Sequence, residues 1–180
     1  FLTPAECNPQ GRMPITLLIN RLIEVATLHA NELGIGYAYL NPRHETWVLS
    51  RVGVEMTVYP GVNDHYTVRT WVVSINRLFS ERDFEIINGA GETIGSARTI
   101  WAVLNRHVNS SRYIELLLNC WGLDFHDHNR LTRFEINYIH EAYFDELVEV
   151  RLSTDEALTR AELVHADRTL CRALLTFSPR

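Results

Sequence analysis

The sequence contains no lysine. All 17 of its basic residues are arginine, although lysine is among the commonest residues of ordinary proteins. Such an absence indicates either a strongly arginine-biased genome or a chain from which residues have been lost. The second explanation matters because a lost segment would alter both the spacing of motifs and the net charge.

Long apolar runs, paired cysteines and an excess of positive charge are also missing. No run approaches the ~20 apolar residues of a membrane helix, and Phe1 opens into a polar loop unlike a signal peptide. The three cysteines, Cys7, Cys120 and Cys171, are odd in number and lack metal-ligand spacing, which favours free thiols in the cytoplasm. A formal net charge of −5 argues against nucleic-acid binding. We therefore expect a soluble protein with neither a membrane nor a nucleic-acid partner.

The first half of the chain shows one long helix followed by strands. Apolar residues recur at helical spacing from Ile15 to Leu33, after a proline suited to a first helical turn and before Gly34. From Trp47 the apolar period changes to two. Strands are predicted over residues 47–58, 66–75, 78–87 and 93–104, and Arg82 and Asp83 in the third are expected to be exposed or paired. This order predicts an antiparallel sheet wrapped around a helix.

The pattern then repeats in the second half. A helix is predicted from Ser110 or Ser111 to about Gly122, followed by strands near 131–139, 146–153, 160–166 and 168–177. The segment LSRVGVEM (49–56) aligns with LTRFEINY (131–138), and TIGSA (93–97) aligns more loosely with TLCRA (169–173). We predict an α+β protein built from a duplicated helix-plus-sheet unit. The N-terminal unit would span residues 1–105 and the C-terminal unit 106–180.

A polar segment, NRHVNSSRYIE (105–115), precedes the second helix. It resembles the N-x-H-V-N-x-x-x-Y-[IL] segment of acyl-ACP thioesterases, which hydrolyse the thioester of fatty acyl groups held by acyl carrier protein. Further segments occur in the family's order: WVLSRVGVEM, TWV, RDF, IGSARTIWAVLN and FEINYIHEAYFDELV, the last with a Y-x-x-E element. The resemblance covers nearly the whole chain and is greatest to the bacterial branch.

The resemblance implies a tandem (double) hotdog fold and a hydrolase of fatty acid biosynthesis that needs no metal or organic cofactor. It places Asn105, His107 and Glu141 in the catalytic site. Glu141 would take a proton from water, His107 would orient that water or polarise the carbonyl, and Asn105 would hold the geometry; the roles of His107 and Glu141 could be exchanged. The partner would be acyl carrier protein bearing a fatty acyl group, and the enzyme a monomer or a homodimer. The acyl chain would lie in an apolar cleft of the N-terminal unit, against the first helix and the 47–58 strand.

The chain departs from the family pattern at the junction of the two units. The family has a further segment there, with a D-x-N-x-H motif, whereas WAVLN runs directly into RHVN and Val103 occupies the Asp position. We interpret this as an internal segment missing near 105/106, so Asn105 is either the motif Asn or the last residue of the preceding strand. The plant branch has a cysteine beside the motif glutamate, where this chain has Ala142, which excludes a cysteine nucleophile at that position.

Three other functions stay open at this point. An acyl-CoA thioesterase of the same fold would differ only in its carrier, and a hotdog dehydratase would also pair a histidine with an acid. A non-catalytic acyl-ACP binding module is the third. Because carrier protein is acidic, an acyl-ACP enzyme should present a basic surface, for which four arginines are candidates. These are Arg106, Arg112, Arg130 and Arg133.

Overall fold

The computed structural model describes residues 1–76, 79–104, 111–140, 142, 146–155 and 158–180. Its helices are α1 (Ile15–Glu32), α2 (Tyr37–Leu40), α3 (Ser111–Leu118) and α4 (Leu123–His128), with short 3-10 turns at Pro4–Glu6 and Asn41–Arg43. Its strands are β1 (Thr46–Met56), β2 (Tyr66–Ile75), β3 (Phe79–Asn88), β4 (Thr93–Leu104), β5 (Asn129–Tyr138), β6 (Glu149–Asp155), β7 (Leu158–His165) and β8 (Arg168–Pro179). None of the helices in these ranges is both long enough and apolar enough to cross a membrane.

The eight strands form one sheet in the order β2-β3-β4-β1-β5-β8-β7-β6. Every pairing in it is antiparallel, and the order is symmetric about the contact between β1 and β5. Gly53 on β1 lies opposite Glu135 on β5. The same two residues are aligned with each other in the sequence repeat. Ala97 pairs with Val54 in the first half, and the equivalent Ala173 pairs with the equivalent Ile136 in the second half. A pseudo-two-fold axis therefore passes between β1 and β5.

Helix α1 buries one apolar face against the inner side of the sheet. Its buried residues follow the helical period: Ile15, Leu18, Ile19, Leu22, Ala26 and Ala30. Pro14 stands at its N-cap, and the chain leaves the helix through Gly34, whose φ of 73° suits glycine. Helix α3 buries Ile114 and Leu117 and contacts α1. The two helices thus share one continuous core with both halves of the sheet.

The strands alternate between a buried inner face and a charged outer face. On β3, the inner Phe84 is 1% exposed, while Asp83 on the outer face accepts two hydrogen bonds from the guanidinium of Arg98, at 2.6 and 2.7 Å. Arg133 pairs with Glu55 and Glu135 on that same face. The outer face is thus a network of ion pairs, whereas the inner face holds the core.

The α+β class and the succession of helix and strands are confirmed, with strand bounds shifted by a few residues. Two helices differ from expectation. The second helix, predicted to end near Gly122, ends at Leu118 as α3, and Leu123–His128 forms the separate short helix α4. Cys120, between the two helices, is exposed. The unit boundary at 105 and the missing internal segment stay predictions.

Candidate functional site

The predicted catalytic residues Asn105, His107 and Glu141 lie outside the described residues. The residues that flank them are described. Leu104 ends β4 and Ser111 begins α3, while His140 and Ala142 stand on either side of Glu141. The site can therefore be located from its flanks, although the three side chains themselves are not described.

Tyr113 joins the two motif segments. It is 6% exposed in the first turn of α3, and its hydroxyl accepts the backbone N–H of Ala142 at 2.6 Å and donates to the carbonyl of His140 at 3.4 Å. Its ring also lies 5.8 Å from that of Tyr138, the tyrosine of the Y-x-x-E element. One buried side chain thus brings the histidine motif and the glutamate motif together.

The segment after β5 is held on the sheet at its beginning. The backbone N–H groups of Ile139 and His140 both donate to the carbonyl of Leu170 on β8, at 2.9 and 3.0 Å. The His140 ring also lies 2.7 Å from the carbonyl of Thr169 through Nδ1. Because a carbonyl oxygen only accepts, Nδ1 of His140 carries the proton of this bond.

The same segment is held again at its far end. Arg168 contacts both carboxylate oxygens of Glu146, at 2.6 and 2.8 Å, and Nδ1 of His165 donates to the carbonyl of Leu147 at 2.8 Å. Glu146 and Arg168 are partly buried, so solvent screens this pair less than a fully exposed pair. The described residues on both sides of Glu141 are therefore held to the second half of the sheet.

A cavity of about 280 Å³ opens in the first half of the molecule. It is lined mainly by the C-terminal half of α1, the start of β1 at Thr46 and Trp47, and Trp101 near the end of β4. The end of β4 leads directly into the predicted histidine motif. The cavity therefore lies at the end of the sheet where the two motif segments meet.

A cluster of polar side chains faces this cavity. Arg82, on the inner face of β3, is 3% exposed, and Trp101 donates its indole N–H to the hydroxyl of Thr99 at 2.8 Å. The prediction that Arg82 and Asp83 are exposed or paired is wrong for Arg82, which is buried, and right for Asp83, which pairs with Arg98. The alternation along β3 indicates that Arg82 is buried, because residues two apart on a strand point to the same face and Phe84 points inward.

The three described arginines among those considered for a carrier surface are not gathered into one patch. Arg112 pairs with Glu115 at 3.0 Å, and Arg133 pairs with acidic residues of the outer sheet face. Arg130 donates to the carbonyl of Thr57 at 2.9 Å, at the end of β5 remote from Tyr138. Arg106 lies outside the described residues.

Comparison with known proteins identifies the fold first. An acyl-ACP thioesterase from Bacteroides thetaiotaomicron superposes with a TM-score of 0.90 at 27% identity, over 98% of this chain and 94% of that one. A 12:0-ACP thioesterase from Umbellularia californica superposes with a TM-score of 0.88 at 14% identity, over 99% and 95%. With its duplicated helix-and-sheet unit, the molecule is a tandem hotdog protein.

The family follows from the sequence as well as from the fold. The model of the acyl-ACP thioesterase N-terminal domain matches residues 3–115, and that of the C-terminal domain matches residues 102–178. The chain belongs to the acyl-ACP thioesterase family. Oleoyl-acyl carrier protein thioesterase 2 of Arabidopsis thaliana is 32% identical over 99 residues, which is 51% of this chain and 27% of the plant protein. The match thus spans about a quarter of that relative's length.

Two functional features escaped the sequence analysis. Tyr113 and Tyr138 both stand in the motifs, but their contact depends on the fold because they are separated by the whole of β5 and α4. The bond from Arg82 to His29 joins β3 to α1, and although the period of two places Arg82 on the inner face, no local pattern indicates that His29 is its partner.

Proposed function

We propose that the protein hydrolyses acyl-ACP to free fatty acid and carrier protein. The observation that carries the proposal is the meeting of the two motif segments at Tyr113, at the end of the sheet where the cavity beside α1 lies. The match to both domain models of the family supports the same reaction. In this proposal the enzyme is bacterial and cytoplasmic, a monomer or a homodimer, and ends or diverts fatty acid synthesis.

Hydrolysis needs an activated water and a place for the negative charge that develops on the carbonyl oxygen. Glu141 takes a proton from the water as the water attacks the thioester carbon. His107 polarises the carbonyl or orients the water, and Asn105 holds the two in place. The backbone N–H groups at the start of α3 stabilise the oxyanion. The carbon–sulfur bond then breaks, and the thiol of the carrier leaves with the proton.

The first test is the release of free acid from matched acyl-ACP and acyl-CoA panels by the wild-type chain, His107→Ala and Glu141→Gln. We expect ACP-dependent hydrolysis that falls by about 10²- to 10⁴-fold in either variant, the range for loss of a general acid or base. His128→Ala serves as the matched control, because His128 is exposed on α4 and distant from the motif segments.

Each of the other outcomes points to another function. Release from acyl-CoA alone would make the protein an acyl-CoA thioesterase. Retention of acyl-ACP without hydrolysis would make it a binding module, with Val103 at the Asp position as the cause. Full activity in both variants would refute the assignment of His107 and Glu141.

A further inference from the structure

The guanidinium of Arg82 is a buried cation with no acidic partner among the described residues. Its Nη1 contacts Nδ1 of His29 at 2.7 Å and the hydroxyl of Thr70 at 3.2 Å. Because arginine only donates, Nδ1 of His29 must accept, so His29 is uncharged with its proton on Nε2. The Nε and Nη2 groups of Arg82 form no hydrogen bond within the described part of the chain. Burial lowers the pKa of Arg82, yet arginine titrates so far above neutrality that it stays charged.

The fold does not require a charge at this position. The registers make Thr159 on β7 the counterpart of Arg82, and Leu175 on β8 the counterpart of Thr99. Both counterparts are buried without an ionised group. An unpaired buried charge costs stability, so the cation of the first unit calls for an explanation that packing does not supply.

Arg82 lies where an acyl chain could reach it. It lines the same cavity as Trp47 and Trp101, together with the buried hydroxyl of Ser80. The strand order places β3 three strands from β5, where Tyr138 precedes the glutamate segment, a separation of roughly 14 Å. Glu45 also lines the cavity but forms no ion pair with Arg82.

We propose that Arg82 recognises an oxygen atom on the acyl chain, so that the enzyme selects hydroxyl- or keto-substituted acyl groups over unsubstituted ones. The inference rests on the proposed acyl-ACP thioesterase function. Nε and Nη2 supply donors only, and a chain oxygen at that depth supplies the acceptor that the described residues lack. A purely apolar chain would bury the same cation without a partner, and its binding would be weakened for that reason.

The test compares kcat and KM for pairs of acyl-ACP substrates of equal length, one unsubstituted and one hydroxylated at successive positions towards the methyl end. We expect the wild-type chain to prefer one hydroxylated position by about ten- to a hundredfold, mainly through KM, as for a hydrogen bond to a charged group. Arg82→Met should abolish that preference. Arg98→Met is the matched control, because Arg98 lies on the outer face of the same sheet and should retain it.

A second measurement keeps the proposal testable if Arg82→Met does not fold or if no hydrolysis occurs. Free hydroxylated and unsubstituted fatty acids are titrated into the wild-type chain, with the change in tryptophan fluorescence as the signal, because two of the four tryptophans, Trp47 and Trp101, line the cavity. Tighter binding of a hydroxylated acid by tenfold or more supports the role of Arg82 even if the thioesterase activity is absent. Equal binding, wild-type preference for unsubstituted chains, or a preference unchanged in Arg82→Met would overturn the proposal.

Discussion

Replacement of Tyr113 by phenylalanine tests whether the motif segments are positioned by a single hydroxyl. The variant removes the oxygen that accepts the N–H of Ala142 at 2.6 Å and donates to the carbonyl of His140 at 3.4 Å. The ring remains, and with it the contact with Tyr138 and the buried packing of α3. Among the described residues, the hydrogen bonds that are lost are those to the two residues that flank Glu141.

The loss of two hydrogen bonds, each worth about 0.5–1.5 kcal/mol net, should cost about 1–3 kcal/mol of unfolding free energy. For a chain of this length, that corresponds to a fall in melting temperature of about 2–12 °C. The effect on turnover should be larger than this stability change suggests, because a displacement of a catalytic group by 1 Å can cost about a hundredfold. We expect kcat to fall by about ten- to a hundredfold with KM little changed.

The assay is steady-state hydrolysis of acyl-ACP, with thermal unfolding followed by circular dichroism on the same samples. Tyr59→Phe is the control. Tyr59 is a largely buried tyrosine at the opposite end of the sheet, and its hydroxyl forms no hydrogen bond within the described ranges. If Tyr113→Phe lost stability as calculated but kept the wild-type kcat, the idea that its hydroxyl positions the glutamate segment would be refuted.

Three further predictions concern stability. In Gly95→Ala the new Cβ would clash with the sulfur of Met56 and with the backbone carbonyl oxygen of Glu55, so we expect a loss of about 1–3 kcal/mol in urea unfolding. Phe134→Ala should cost about 3–5 kcal/mol, measured in the same way, because Phe134 is 1% exposed in the core. Hydrogen bonds, first from Arg172, lower the pKa of Glu162. Ionised Glu162 therefore stabilises the folded state above its unfolded-state pKa, and this stabilisation is lost as pH falls through its folded-state pKa. Arg172→Met should therefore be less stable at neutral pH and converge with the wild type in acid, as followed by urea unfolding across pH.

Local periodicity was enough to predict the large elements. Helix α1 has a wide apolar face at a 3.6-residue period, and β1 and β5 show the alternation that predicts half-buried strands. Helix α4 was missed because its six residues carry no such signal. It is stabilised instead by tertiary contacts, since the ring of Phe125 packs on Trp121 at 5.9 Å and on Phe177 at 5.0 Å.

The candidate site was predicted from its motifs, but not its assembly. The hydrogen bond between Tyr113 and Ala142 joins residues that only the packing of α3 beside the end of β5 brings together. Arg82 was assigned to a solvent-facing or paired position because it is charged, although its parity with Phe84 and Ile86 indicates the inner face. The sequence thus placed a charged residue, Arg82, in register with the buried residues of β3, and such a mismatch is typical of a functional site.

The two halves of the sheet share one strand order but differ in the helix that covers them. Helix α1 has 18 residues and α3 has eight, which correspond to lengths of about 27 and 12 Å. The segment that begins at Ile139 is hydrogen-bonded to Leu170 in the second half. The C-terminal half of α1 instead lines the cavity beside Arg82 in the first half. Because β1 and β4 separate β5 from β3, Tyr138 and Arg82 lie on opposite sides of the pseudo-two-fold axis, so the two halves would contribute different parts of the proposed acyl site.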